Sequence, residues 1–285
     1  MSVRRHLTVA LIASVFVAAL EFWGGAVSHS LALTTDAVHV CTDVLALALV
    51  AAIGAARPAD RRRTFGYGRI EVLGALVNGT QLLVATLAIV YEAAQRFAHP
   101  VEPAPGLMAG VATIGLVVNA GVGLLLRADG RRDLNVRAAL FHVAGDALGA
   151  SAVILGGVAI ALTHHSWIDP ALSMFVAAII VVGVARVLRD ATEVLLESVP
   201  ADVDCGDLEQ HIAKIAGVAG VHDLHVWSIG SGSRALSAHV LLDDRRLSEA
   251  AEVLREITEC AKAHFSIAHV TVQFECESCP VPVRH

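Results

Sequence analysis

Six long stretches of this chain carry almost no charge, and each is long enough to form a helix that crosses a lipid bilayer. A bilayer core needs about 20 consecutive apolar residues in a helix. The stretches cover residues 7–27, 31–56, 70–97, 107–126, 138–163 and 171–188. Charged residues concentrate in short loops and after about residue 185, the pattern of a membrane domain joined to a soluble one. The sequence therefore predicts a six-helix transmembrane domain over residues 1–190.

Positive charge alternates from one predicted loop to the next. Cytoplasmic loops of membrane proteins carry an excess of lysine and arginine. Of the remaining loops, only one carries an arginine, Arg96, at a span end. The basic segments are the N-terminus, the second and fourth loops and the residues after the last span: Arg4 and Arg5; Arg57, Arg61, Arg62, Arg63 and Arg69; Arg127, Arg131, Arg132 and Arg137; Arg186 and Arg189. Both termini are therefore expected in the cytoplasm, as an even number of spans also requires.

Residues 191–285 have the pattern of a small cytoplasmic α+β domain. Helical spacing covers residues 204–215 and 248–264, the second helix beginning at Ser248 as its expected cap. Strand patterns cover residues 221–229, 236–242 and 270–274. The order αββαβ predicts a compact two-layer fold, and a domain this small gains buried core by pairing with a second copy. Acidic residues dominate from Asp190 onward, which argues against nucleic-acid binding.

Two predicted spans carry the same pair of ionisable residues, a histidine followed four positions later by an aspartate. These are His39 with Asp43, and His142 with Asp146. Spacing of four places each pair on one helix face, and ionisable groups inside a bilayer are costly and usually functional. If the two helices pack together, two nitrogens and two oxygens meet in a set that zinc accepts. The alternative is a hydrogen bond between helices, which the duplication disfavours.

Four segments make the sequence recognisable: residues 30–39 (SLALTTDAVH), 65–69 (FGYGR), 135–146 (NVRAALFHVAGD) and 222–227 (HDLHVW). They resemble the cation diffusion facilitator family, and the resemblance runs through nearly the whole chain. It implies a homodimeric antiporter of metal cations and protons, with six spans and a cytoplasmic ferredoxin-like domain. It also implies that His39, Asp43, His142 and Asp146 bind the transported metal.

The ligand types predict which metal is carried. Two imidazoles with two carboxylates suit zinc, cobalt or cadmium, whereas an all-oxygen set suits manganese or magnesium. Cys41 lies between His39 and Asp43 but faces away from them, so we interpret it as a packing residue. Glu21 and Asp36 are expected to border the cavity or an interface. Few lysines and many alanines and valines suggest a bacterial protein, and hence the inner (plasma) membrane.

A second candidate metal set lies on or beside the predicted strands of the cytoplasmic domain. In the family, histidines that match the HDLHVW and AHV segments, with the end of the last strand, form cytoplasmic metal sites. The alternative is that these histidines are solvated surface residues. The candidates here, of which His222, His239 and His269 come first, are His222, His225, His239, His269, Glu275, Cys276 and Cys279. Zinc is thus expected both as cargo and as a regulatory ion.

Other functions find little support in the sequence. The chain has no HExxH protease motif, no GxSxG element and no phosphate-binding Walker loop, so we expect a transporter rather than an enzyme. We expect export of zinc, or of cadmium or cobalt, from the cytoplasm in exchange for protons. The alternatives are a transporter of the same fold for manganese, iron or nickel, and a metal-gated channel or sensor.

Overall fold

The structure, a computed structural model, describes residues 3–54, 64–128, 134–230, 232–243 and 246–276. Within these ranges the backbone alone is described for residues 3–7, 43, 45–54, 128, 134–139, 141, 142 and 247. The chain divides into two compact units. The first comprises Met1–Leu49 with Val77–Leu188, and the second comprises Val50–Leu76 with Arg189–His285.

Six long helices follow the apolar stretches predicted from the sequence. In lipid a backbone must satisfy its own hydrogen bonds, and a helix does so within one segment. Five of the helices have described segments long and apolar enough to cross a membrane; α2 is the exception, and the count of six spans stays a prediction. The helices are α1 (Val3–Ser28), α2 (Leu31–Gly54), α3 (Gly68–Ala98), α4 (Pro105–Ala128), α5 (Leu134–Thr163) and α6 (Ile168–Leu195).

A buried carboxylate fixes the start of α2. The side chain of Asp169, in the first turn of α6, accepts hydrogen bonds from the Leu31 N–H at 2.7 Å and from the Ala32 N–H at 3.3 Å. The Ser30 hydroxyl donates to it at 2.7 Å, and the Arg96 guanidinium lies 3.5 Å away. An anion at a helix N-terminus satisfies free N–H groups and complements the helix dipole. The first turns of α2 and α6 are therefore held side by side.

The second unit contains a three-stranded sheet with two helices, in the predicted order αββαβ. Helix α7 (Cys205–Ala213) precedes strands β1 (Val218–Gly230) and β2 (Ser233–Leu242), and helix α8 (Leu247–Phe265) leads to β3 (His269–Glu275). Strand β2 pairs antiparallel with β1 and parallel with β3. The core of this unit includes Leu208, Ile212, Val226, Leu236, Val240, Val253 and Ile257. The predicted α+β fold of this C-terminal domain is confirmed.

One predicted helix boundary differs in the structure. Helix α8 begins at Leu247, and Arg246 is the N-cap residue and makes no side-chain capping bond. Ser248, which the sequence suggested as the cap, already lies inside the helix. The backbone of Arg246 has extended dihedral angles, and its carbonyl accepts bonds from the Glu249 and Ala250 N–H groups. The turn is thus completed by main-chain bonds.

Candidate metal sites

The described half of the membrane candidate set consists of His39 and Asp146. His39 lies on α2 and is half-buried, and Asp146 lies on α5 with 5% of its surface exposed. Their expected partners, Asp43 and His142, lie on the same two helices, but their side chains are outside the described residues. The convergence of all four ligands therefore stays a prediction.

A close contact joins α2 and α5 beside these residues. A methyl group placed on Gly149 of α5 would lie 3.0 Å from Oδ1 of Asp36 on α2. Glycine at position 149 thus leaves the space that the Asp36 carboxylate occupies. Asp36 precedes His39 by three residues, and Gly149 follows Asp146 by three residues.

Three side chains of the second unit form a compact group of metal-ligand type. Nε2 of His222 lies 3.0 Å from Oε2 of Glu275, and Nδ1 of His239 lies 2.7 Å from Oε1 of the same carboxylate. One ligand atom from each residue falls within 4.8 Å of the others. In the described part of the chain, this is the one group of three or more potential metal ligands.

Sheet register explains why these three meet. His222 of β1 is the direct partner of His239 of β2, and paired residues on neighbouring strands project to the same face. His239 is paired with Gln273 of β3, and the Glu275 side chain reaches the two rings from the end of that strand. The cluster therefore draws on all three strands, and forming the sheet assembles it.

The electrostatics of the cluster favour an ionised Glu275. Partial burial by itself would raise the pKa of this carboxyl. The hydrogen bonds from His239 and His222, with the charge these rings carry when protonated, outweigh burial and bring the pKa below its usual value. An ionised carboxylate between two imidazoles is the protonation state that a divalent metal requires.

The remaining cytoplasmic candidates lie apart from this group. His225 is exposed, and its Nε2 lies 3.0 Å from Oδ1 of Asp223. The His269 ring is exposed and packs edge-on against Phe65, with 5.7 Å between ring centroids. Cys276 is disulfide-bonded, which leaves no thiolate for a metal, and Cys279 lies outside the described residues.

Asp223 is one residue that the sequence analysis did not single out. Its Oδ2 lies 3.8 Å from Nε2 of His239, on the opposite side of that ring from Glu275. The φ angle of Asp223 is 52°, a left-handed conformation that aspartate tolerates better than most residues. Its position within HDLHVW was the available signal, since a carboxylate beside two histidines is a common orienting partner in metal sites.

The FGYGR segment packs against the same unit. Gly68 and Gly230 approach so closely that a methyl group on Gly230 would lie 2.8 Å from the Gly68 backbone. Arg69 forms a 2.6 Å salt bridge with Glu197. Beside these contacts lies a cavity of about 490 Å³ whose lining includes Tyr67 and Trp227. The motif thus has a structural role within the second unit.

Comparison with known proteins agrees with this architecture. The family profile for the cation efflux transmembrane domain matches residues 7–196, and the profile for the cytoplasmic domain of cation efflux proteins matches residues 200–277. The fold and these matches define a multi-pass membrane transporter of metal cations. The chain belongs to the cation efflux family, also called cation diffusion facilitators.

Individual relatives cover most of the chain. The cadmium, cobalt and zinc/H(+)-K(+) antiporter of Bacillus subtilis is 39% identical, over 91% of this chain and 85% of its own length. The metal cation efflux system protein CzcD of Cupriavidus metallidurans is 38% identical, over 96% and 87%. The zinc transporter ZitB of Escherichia coli is 36% identical, over 93% and 85%. The metal-bound C-terminal domain of CzcD is 40% identical, covering 26% of this chain and 99% of that domain, with a TM-score of 0.24.

Proposed function

We propose that this chain exports divalent zinc from the cytoplasm in exchange for protons, using His39, Asp43, His142 and Asp146 as the transport site. The names of its relatives, a zinc transporter and a cadmium, cobalt and zinc antiporter, support zinc-type cargo. The single observation that carries the site assignment is the contact between Asp36 and Gly149.

The directions of the helices determine which residues of α2 and α5 lie at the same level as this contact. Asp169 holds the first turns of α2 and α6 together, so these helices start at the same level. Helices α5 and α6 are joined by residues 164–167 only, which makes α5 run opposite to α6 and therefore opposite to α2.

In antiparallel helices, moving forward along one corresponds to moving backward along the other. Three residues forward from Asp36 is His39, and three residues back from Gly149 is Asp146. Each step covers about 4.5 Å along the axis. His39 and Asp146 are therefore expected at one level, and four residues further the same counting pairs Asp43 with His142. This register supports one four-ligand site.

The chemistry of the ligands supports exchange with protons. A metal binds neutral imidazole and ionised carboxylate, so loading the site displaces protons. Moving a divalent ion outward against a membrane potential costs about 4.6 kcal/mol per 100 mV, because each charge costs about 2.3 kcal/mol. One proton returning per metal offsets about half of that electrical work.

We further propose that His222, His239 and Glu275 bind a regulatory zinc ion in a cytoplasmic domain that pairs with a second copy of the chain. Residues 1–190 form the transport domain and residues 191–285 the cytoplasmic one. The six spans lie in the lipid bilayer of the plasma membrane, and both termini lie on its cytoplasmic side. His225, His269 and Cys279 stay predictions as additional ligands, and Cys276 would join them only after reduction of its disulfide.

The test is metal uptake into inverted membrane vesicles that contain the full chain, under an imposed pH gradient with the interior acidic. Zinc, cadmium, cobalt, nickel, iron and manganese are compared at equal free concentration. We expect zinc uptake that collapses when the pH gradient is removed. Uptake of manganese alone, or zinc uptake unaffected by the gradient, would contradict the proposal.

A further inference from the structure

Glu21, in the C-terminal third of α1, is a buried carboxylate that the proposed transport site does not use. Its exposed fraction is 1%, which ranks it among the most deeply buried large side chains of the described residues. Its Oε2 atom is shielded from water and makes no hydrogen bond with the described residues. A buried carboxylate in a membrane domain is costly when ionised and unpaired. A bound cation or proton would remove that cost by neutralising the charge.

A glycine of the neighbouring helix makes room for this side chain. A methyl group placed on Gly115 of α4 would lie 2.8 Å from Oε1 of Glu21 and 3.4 Å from a methyl of Val17. On α4, residues 105–126 contain no ionisable residue, and Asn119 is the buried polar residue there. Residues 105–126 of α4 therefore supply space for Glu21 but no counter-charge.

The charges that act on Glu21 from other helices are also negative. Asp36 of α2 and Asp146 of α5 both repel it electrostatically, and both are buried. The other described titratable groups on the facing part of α2 are the His39 imidazole and the Cys41 thiol, the latter within electrostatic range of Glu21. The environment of Glu21 is thus acidic and shielded from water.

This environment favours one kind of ligand. A metal cation needs several oxygen ligands at short distance, whereas a proton needs a single oxygen such as the unbonded Oε2. We propose that Glu21 is a proton-binding site of the transporter, separate from the four metal ligands and electrostatically linked to them. The inference rests on the proposed zinc site. Metal bound beside Asp146 cancels the repulsion on Glu21, so the O–H bond of its carboxyl breaks, the carboxylate forms and the proton passes to the surrounding solution.

The proposal predicts how many protons leave when zinc binds. Glu21→Gln keeps the shape of the protonated side chain but has no proton to release. The purified full chain, with His222→Ala and His239→Ala as background to silence the cytoplasmic cluster, is titrated with zinc in potassium-free buffers of different ionisation enthalpy. Calorimetry in such a series gives the number of protons released per zinc.

Glu21→Gln is expected to bind zinc and to release up to one proton fewer per membrane site. Its zinc affinity should also increase less steeply as the pH rises. The slope of log Kd against pH should be smaller by up to one unit, which corresponds to a tenfold smaller gain in affinity for each pH unit. Glu71→Gln is the matched control, because Glu71 is an exposed carboxylate on α3, and it should match the background protein.

An unchanged proton count in Glu21→Gln would overturn the proposal, and so would a folded variant that no longer binds zinc, since Glu21 would then be a ligand. Zinc binding without any proton release in the background protein would instead refute the proposed antiport. If Glu21→Gln does not assemble, Gly115→Ala provides the second test, because its methyl group displaces the Glu21 carboxyl. Gly115→Ala should lower the number of protons released per zinc. Gly110→Ala should not, because a methyl group added to Gly110 contacts no other atom.

Discussion

The two candidate metal sites of this protein are built from different parts in different ways. In the membrane set, the two paired residues lie four positions apart on the same helix. Each of the two helices therefore contributes a histidine and an aspartate from one short stretch. The cytoplasmic cluster takes one residue from each of three strands, and only the sheet brings them together. The first is visible in the sequence, whereas the second depends on long-range pairing.

The sites also differ in their surroundings. Asp146 is buried in the helical membrane domain, where a charged side chain is expensive, and the proposed exchange makes metal and protons compete for it. His222 and His239 are each half-buried at the surface of a soluble unit, and the Glu275 carboxylate already pairs with both. This contrast is consistent with the proposed division of roles, in which the membrane set exchanges metal for protons and the cytoplasmic cluster binds a regulatory ion.

The largest expected effect follows from removing a membrane carboxylate. Asp43→Ala or Asp146→Ala takes away an anionic ligand and leaves an incomplete set in a medium of low dielectric constant. We expect zinc flux in inverted vesicles to fall to background while the protein still inserts and dimerises. Gly145→Ala, at an exposed position next to Asp146 that meets open space, is the matched control and should transport normally. Normal flux in either aspartate variant would refute the assignment.

Changing a ligand's type rather than removing it should alter selectivity. His39→Asp replaces a nitrogen with a harder oxygen, which favours manganese over zinc. We expect the ratio of zinc to manganese uptake to fall by about tenfold or more, since even indirect partners of metal ligands change affinity by about that factor. An unchanged ratio, measured by competition between the two ions, would place His39 outside the metal's coordination sphere.

Loss of the cytoplasmic cluster should have a smaller effect on flux. In full-length protein, His222→Ala with His239→Ala is expected to lower the number of zinc ions bound per chain and to reduce transport without abolishing it. His225→Ala serves as the comparison, because His225 is exposed and lies outside the three-residue group. If the double variant folded but lost all transport, the cytoplasmic cluster would be part of the transport path.

The smallest effect concerns packing within the second unit. Gly230→Ala would push a methyl group to 2.8 Å from the Gly68 backbone, which cannot yield as a flexible side chain does. We expect a loss of about 1–3 kcal/mol in stability, typical of overpacking, measured as a lower thermal midpoint of the full chain. Gly220→Ala, in the same strand, meets only ordinary contacts at 3.8 Å and should be neutral. Equal midpoints would argue against this close approach.

Local patterns predicted most of the fold because the residue pattern of each helix or strand lies within one continuous segment. Apolar runs predicted the six long helices, and local residue patterns, including alternation in the last strand, predicted the three strands. The ends of the helices were harder to predict from the sequence. Helix α6 continues to Leu195, past the predicted limit at residue 188, because polar residues extend the helix beyond the apolar stretch. The role of Asp169 in starting α2 involves residues 138 positions apart, which no local pattern encodes.

The same reasoning explains the cytoplasmic candidates. The HDLHVW and AHV segments predict His222 and His239 as ligands, and the structure brings the two side chains together. Glu275 ranked below His269 in the sequence, yet Glu275 joins the cluster while the His269 ring packs against Phe65. Which end of β3 reaches the histidines depends on the parallel pairing of β3 with β2. That pairing follows from the α8 crossover and is invisible in residue types alone.

The central claim is that zinc and protons exchange at one site, and internal pH in proteoliposomes tests it most directly. The full chain is reconstituted with a pH-sensitive dye inside, and zinc is added outside with no initial pH gradient. We expect the interior to become more alkaline as zinc enters and protons leave, and Asp43→Ala and Asp146→Ala to lose both fluxes together. Zinc entry with no change of internal pH, once passive leak is subtracted, would contradict the account and indicate a uniporter or channel.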